Sequence, residues 1–479
     1  MTKITRPMMN WNQLLCEERI RQFTKSTTST DLRTEFEKDY HRIIGSAAFR
    51  RLQDKTQVFP LDKSDYIRTR LTHSLEVSSF GKSLGQSVGQ RIIDGGLDKD
   101  FGPKQREDIC NILQCAGLIH DIGNPPFGHY GEGVFQTWFK ENLGKLEYKG
   151  RPLNEILTEQ QQADFYHFEG NTQALRVVSK LHFLVDEHGM NLTKALLGTI
   201  IKYPVSSTEV RKDPEDIRCK KMGYFYADKD IFDDVQRSTG TEGCRHPLTY
   251  LLEAADDIAY KTADIEDAIK KGNLTVKLLI EELEQRIGPA GTEEHNGNRF
   301  VDELIRKYDK AIGINHMHPD MYAIQNWSVF VQGKALSSVT DSFIEHYDRI
   351  MQGTYNNDLF VGTKTEPVMK ALGDIAYKYV FSSRPIYKLE IAAETIFNSL
   401  LDKYIRAAIH YDTDVTMSPL DERLMELISR DYRQIYEIYS NGRSENTRLY
   451  LRLLLVTDYI CGMTDSYAKN LYQELNGII

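Results

Sequence analysis

Apolar positions recur every three or four residues along most of this chain, and that period predicts helices almost throughout. In "THSLEVSSFGKSLGQSVGQRIID", Val77, Phe80, Leu84, Val88 and Ile92 share one stripe, with Thr72 or Ser74 available as the cap. "PKQREDICNILQCAGLIHD" opens on Pro103, turns strongly apolar, and stops at "GNPP", where two prolines forbid continuation. "NTQALRVVSKLHFL" and "LTKALLGTIIKYP" read as further helices, the second closed by Pro204. The clearest helix is "HPLTYLLEAADDIAYKTADIEDAIKKG", from Pro247 to Gly272, with Leu251, Leu252, Ala255, Ile258, Ala259, Thr262 and Ile265 on its buried stripe. "LTVKLLIEELEQRI", "VDELIRKYDKAI", "EIAAETIFNSLLDKYIRAAI" and "SENTRLYLRLLLVTDYICGM" continue the pattern. Strand signals are few: "KLEYKG" and "KMGYFY" predict one short ribbon, and "GPAGTEEHNGNR" (288–299) a surface loop. The fold class is all-α.

Composition narrows the class. With 479 residues, 41% of them hydrophobic, the chain can bury a large core. Apolar runs such as "LYLRLLLVTDYI" are interrupted by charge, so no stretch of ~18 uncharged apolar residues predicts a membrane span. The start, "MTKITRPMMNW", lacks the apolar core of a signal peptide, and the six cysteines form no C-x-x-C pair. A reduced, cytoplasmic protein is expected. The net charge of −9 argues against a general nucleic-acid binder. Basic residues nevertheless crowd "FRRLQDKTQ" and "DYIRTRLTH", close to a histidine.

The candidate chemistry begins with that histidine. His73 lies at the start of one predicted helix and His120-Asp121 at the end of the next, so an antiparallel pair would bring those ends together. Asp256 sits within an otherwise apolar helical stretch, where a carboxylate is costly unless paired or bound to a cation. Imidazole and carboxylate together suit a divalent ion. Any one of these histidines alone would read as a hydrogen-bonded core residue. Asp256, Tyr260 and Asp264 follow at steps of four, a file along one helical face ~12 Å long at ~1.5 Å per residue. In "LIHDIGNPPFGHYGE", His129 and Glu132 are three apart, close enough for the carboxylate to orient the imidazole, and the prolines and glycines hold the loop in one shape.

The pattern H…HD…D in a helical chain is the signature of HD-domain metal-dependent phosphohydrolases. The blocks "RTEFEKDYHRIIGSAAFRRLQDKTQVF", "TRLTHSLEV", "HDIGNPPFGHYGE", "FEGNTQ" and "EAADDIAYKTADIED" resemble deoxyguanosine triphosphate triphosphohydrolases (dGTPases) more narrowly. The resemblance covers roughly residues 32–270 in detail and reappears in "VTDYICGMTDSYA". It implies a metal-dependent enzyme that releases deoxyguanosine and inorganic triphosphate from dGTP, with other dNTPs as further substrates. His73, His120, Asp121 and Asp256 are the implied metal ligands, Asp256 being preferred over Asp257 by the family pattern A-D-x-I-A-Y. The ion would be Mn or Mg, or another transition metal such as Fe, Co or Zn. His129 is the implied acid–base group and Glu132 its support. Gln57, Val58, Arg70, Tyr260, Asp264 and Tyr387 match substrate-contacting positions, and Lys202 and His167 are candidates to line the phosphates. Arg50 and Arg51 are expected to brace the fold through carboxylates such as Asp39.

The resemblance also implies a segment 1–60 that contributes to the site, an HD core over 61–272, and a helical region 273–479 completing the pocket and oligomer contacts. A tetramer or hexamer, with a dNTP activator or a single-stranded DNA effector as further partners, fits the family. Some relatives carry a histidine where this chain has Asn124, the residue of the bacterial dGTPase-type motif, which favours guanine. The competing readings are an HD phosphohydrolase acting on another nucleotide, and a nucleotide- or single-stranded-DNA-binding regulatory protein. A pure binder needs no proton-transfer pair.

Overall fold

Thr69 begins the helix that carries the first histidine. The structure is a computed structural model describing residues 8–21, 31–57, 61, 68–183, 185–211, 216–291, 298–382 and 384–478. Val58 and residues 292–297 of the expected surface loop lie outside them. The Thr69 hydroxyl accepts from the Thr72 backbone N–H, and the Thr72 hydroxyl accepts in return from that of Thr69. This reciprocal box starts the helix at Arg70, so Thr72 lies inside the first turn rather than capping it, and neither it nor Ser74 is the cap. The helix runs Arg70–Gly95 and buries Val77, Leu84, Val88 and Ile92, with Phe80 only partly covered.

The Pro103–Ile119 helix packs along it unusually closely. A Cβ on Gly117 would meet the Ser78 backbone at 2.5 Å, and one on Gly85 would meet the Cys110 Cα at 3.2 Å. Small residues on facing sides let the two backbones touch, and that contact brings the His73 end and the His120 end together. The Pro247–Lys270 helix lies against both and supplies Asp256. A Pro319–Glu345 helix, whose apolar pattern does not stand out in the sequence, covers the outer side with Trp327, Val331, Val339 and Phe343 fully buried.

A second apolar cluster gathers around the Gly128–Asn142, Arg384–His410 and Glu445–Cys461 helices. Phe135 stacks on Phe168 at 4.8 Å and Phe139 on Phe165 at 4.3 Å. Burying each such ring contributes about 1.5–3 kcal/mol. Arg176 ties this cluster to the first: its guanidinium donates to Asp458 at 2.7–3.0 Å and to Asp228 at 3.0 Å, and Gln173 adds a bond to Asp458 at 2.9 Å. All four are buried, so each charge keeps its partner in place.

The all-α expectation holds, with one two-stranded ribbon among the described residues. Its details differ from expectation. Glu147–Tyr148 pairs with Arg151–Pro152 across a turn in which Lys149 and Gly150 both have positive φ, the geometry of a tight hairpin. "KMGYFY" is not a strand. Gly223 lies so close to Tyr203 that an added Cβ would sit 1.7 Å from its carbonyl oxygen, and the segment then turns at Tyr226–Asp228. The helix expected to run to Pro204 stops at Ile200, with Ile201 already extended; Pro204 offers no N–H for the Ile200 carbonyl. Asp39 pairs with Arg19 at 2.6 Å and not with Arg50 or Arg51. Arg50 reaches the Gly45 carbonyl at 2.8 Å and Arg51 the Tyr432 hydroxyl at 3.3 Å. Among the described residues no helix is long and apolar enough to cross a membrane, and all six cysteines are free.

Candidate metal centre and active site

Two helix ends and the middle of a third helix bring three donors together. His73, in the first turn of its helix, has Nε2 3.1 Å from Asp256 Oδ1, and His120 Nε2 lies 3.5 Å from the same oxygen. The two rings meet edge to face at 5.3 Å. His120 Nδ1 faces the Gly117 carbonyl at 2.8 Å. A carbonyl only accepts, so Nδ1 carries the proton and Nε2 presents a lone pair. That Nε2 is buried with no hydrogen-bond partner, as a ligand atom would be. Ligand atoms of His73, His120 and Asp256 all lie within 4.8 Å of one another, and a divalent ion fits such a donor set.

Asp121 stands beside them. Its Oδ1 is 3.6 Å from His120 Nε2 and accepts from the Asn124 side chain at 2.7 Å, while Oδ2 pairs with Arg70. Lys202, extended ahead of Pro204, places its ammonium 3.7 Å from Asp256 Oδ2. Asp257 turns away and pairs with Lys261 at 2.9 Å. Burial alone would raise both carboxyls, yet His120 and the neighbouring cations outweigh it and hold Asp121 and Asp256 well below the usual carboxylate range. Burial likewise disfavours the charged His120, but Asp121 and Asp256 reverse the sign and raise its proton affinity.

The same loop carries the second constellation. Phe127 adopts a left-handed backbone (φ 60), as does Gly128, and the Gly128–Asn142 helix starts there. His129 Nδ1 lies 2.9 Å from Glu132 Oε2, and the other Glu132 oxygen accepts from the Gly170 N–H at 2.9 Å. The histidine is 76% exposed while its partner is buried. The bond from Glu132 raises His129, and burial notwithstanding, His129 keeps Glu132 below its ordinary value. A cavity of about 390 Å³ opens beside them, lined in part by His129, Glu132, His167, Glu169 and Lys221. Burial lowers His167, which favours its neutral form.

An HD domain model matches residues 70–198. A deoxyguanosinetriphosphate triphosphohydrolase-like protein of Listeria monocytogenes is 47% identical, over 98% of this chain and 100% of its own. The chain belongs to the deoxyguanosinetriphosphate triphosphohydrolase family. A like-named protein of Synechocystis sp. is 34% identical over 98% of the chain and 100% of its own length. The deoxyguanosinetriphosphate triphosphohydrolase of Serratia proteamaculans is 32% identical over 93% and 94%. The protein is therefore a hydrolase, built on a metal-dependent phosphohydrolase domain.

The remaining expected site residues of this family member are more scattered. Tyr260 is half-buried one turn from Asp256, and burial raises its hydroxyl strongly. Asp264 is only 1% exposed, its Oδ2 has no hydrogen-bond partner, and burial together with nearby Asp267 pushes it well above the carboxylate range. Gln57 is partly covered, with Oε1 buried and unpartnered. Tyr387 is 48% exposed on the Arg384–His410 helix. Two groups beside the site escaped the sequence reading: Glu169, in "FEGNTQ", and Lys221, which pairs with it.

Proposed function

We propose that this hydrolase cleaves dGTP, and other dNTPs more slowly, at the bond between the α-phosphorus and the 5′-oxygen. Water attacks phosphorus, the P–O5′ bond breaks, and deoxyguanosine leaves while triphosphate keeps its chain intact. The observation that carries this reading is the pairing of His129 with Glu132 eight residues from the His120-Asp121 corner, in a chain similar along its whole length to relatives bearing the triphosphohydrolase name.

In this reading His73, His120, Asp121 and Asp256 hold a divalent ion, Mn or Mg in the first instance. Bound there, the ion withdraws electron density from the α-phosphate and makes water more acidic. The chain's own groups do the rest. Arg70, Lys202 and Lys221 meet a triphosphate carrying about four negative charges. His129, kept protonated by Glu132, gives its proton to the departing 5′-oxygen, a contribution of roughly 10²–10⁴ in rate. Tyr260 and Asp264 continue the face of the Asp256 helix towards the deoxyribose, where the buried neutral carboxyl of Asp264 has hydrogen-bonding capacity free for a sugar hydroxyl. Gln57 walls off the 2′-carbon, Tyr387 stacks on the sugar, and His167 lines the phosphate cavity.

Similarity to relatives named for dGTP supports guanine as the preferred base, and assembly into a homo-oligomer in the cytoplasm completes the reading. Incubation with each dNTP and Mn or Mg, followed by ion-exchange chromatography, tests it. Inorganic triphosphate with free deoxynucleoside is expected. Pyrophosphate with deoxynucleoside monophosphate would place the cleavage elsewhere and defeat the proposal.

A further inference from the structure

The ammonium of Lys55 is buried, 3% exposed, between two backbone carbonyls. It donates to the Asn124 carbonyl at 2.6 Å and to the Cys461 carbonyl at 2.8 Å. Thr56 continues the contact: its N–H and hydroxyl donate to Asp465 Oδ2 at 3.0 and 2.6 Å. The other oxygen of Asp465, itself 1% exposed, accepts from the Phe127 N–H at 2.9 Å. Three stretches far apart in sequence thus meet at one point, 55–56, 124–127 and 461–465.

A charged amine held by carbonyls alone is an expensive way to fill a core, and an apolar residue of the same length would stabilise the chain at least as well. Where the two anchors attach says what the charge does. Asn124 is the residue whose side chain bonds Asp121 Oδ1, and Phe127 is the left-handed residue two before His129. Lys55 and Asp465 therefore grip the two ends of "NPPF", the connection between the Asp121 corner and the His129–Glu132 pair. A Pro-Pro segment is stiff within itself, but its tilt is set by what holds its ends.

We infer that Lys55 and Asp465 are positioning residues that fix the separation of Asp121 and His129, and so couple the corner before the C-terminal Asp465–Leu475 helix to the reaction. Neither touches the substrate. The inference rests on His129 as the proton donor of the proposed function.

Lys55→Met, Asp465→Asn and the milder Thr56→Val test it. Each is expected to lower kcat, by about 10²-fold for the first two and about tenfold for Thr56→Val, with KM within about threefold, because misplacement of roughly 1 Å costs that much in rate. Mn²⁺ affinity by calorimetry and the melting temperature should stay close to the parent's. Hydrogen exchange at the Phe127 amide reads the anchor without any substrate and should quicken at least about tenfold in Asp465→Asn. An unchanged kcat in both Lys55→Met and Thr56→Val overturns the inference, as does unaltered Phe127 exchange in Asp465→Asn. A parent protein that releases no triphosphate from any dNTP defeats the proposed function instead, and the Phe127 measurement separates the two failures.

Discussion

Glu132 holds His129 with one oxygen and the backbone of Gly170 with the other, both at 2.9 Å. A carboxylate fixed at one end by an N–H that cannot rotate away orients the imidazole it meets at the other. His129→Ala removes the proposed proton donor and leaves the His73, His120 and Asp256 cluster untouched. Steady-state kinetics should show kcat lower by on the order of 10²–10⁴, with Mn²⁺ binding and substrate KM little changed. A variant that turns over at the parent rate would remove the histidine from the mechanism.

On the proposed mechanism the pair should also set the pH dependence. Glu132 raises the proton affinity of His129, so the imidazolium persists above its ordinary value of ~6.5 and is lost as pH climbs through the raised one. The Glu132 carboxylate, kept low by His129, is lost only as pH falls through its depressed value. The rate should therefore hold level between these limits and fall on the alkaline side as His129 deprotonates. In Glu132→Gln the support for the charge is gone. The alkaline limb of kcat/KM should move to lower pH, in addition to an overall loss of rate. A limb that stays in place would mean another group titrates there.

Asp264 offers a test at the far end of the same helical face as Asp256. Burial pushes its carboxyl towards the neutral form, whose charge and shape asparagine nearly reproduces. Asp264→Asn is expected to retain most of the dNTP rate. If Asp264 meets a sugar hydroxyl as proposed, Asp264→Ala should lower kcat/KM for dGTP by on the order of 10–10²-fold, with a smaller loss for GTP. Equal rates on both nucleotides before and after the alanine change would sever this residue from sugar recognition.

How far the sequence could be read depended on whether a period carried the information. The Asp256 helix and the two histidine-bearing helices have stripes that place their polar exceptions in space, so the convergence of His73, His120 and Asp256 was foreseeable. The Pro319–Glu345 helix was not, since Val329 and Met321 spread its apolar residues over more than one face and blur the stripe. Thr69 escaped because a threonine at the third helical position can return the cap's bond, which shifts the start by three residues. Lys55, Asp465, Glu169 and Lys221 lie on loops or helix ends, where partners are chosen by three-dimensional contact and no spacing announces them. The "KMGYFY" ribbon failed for a related reason. Its alternation satisfies a strand, but the close approach of Gly223 to Tyr203 uses the backbone for a different contact.

Gly170 is the point where the "FEGNTQ" turn touches the loop that carries His129 and Glu132. A Cβ there would lie 2.0 Å from Asn124 Oδ1 and 2.7 Å from Glu132 Oε1. One methyl group would therefore push on the side chain bonded to Asp121 and on the carboxylate that supports His129, while deleting none of them. Gly170→Ala should still fold, at an overpacking cost of about 1–3 kcal/mol as the buried neighbours shift. Activity should drop by on the order of 10²-fold if Glu132 and Asn124 act as proposed, because both would be displaced. The check is a melting curve beside a dGTP assay. A folded protein with a large loss of kcat would locate the damage in the geometry of the loop, whereas full activity would show that Glu132 and Asn124 need not stand where they do.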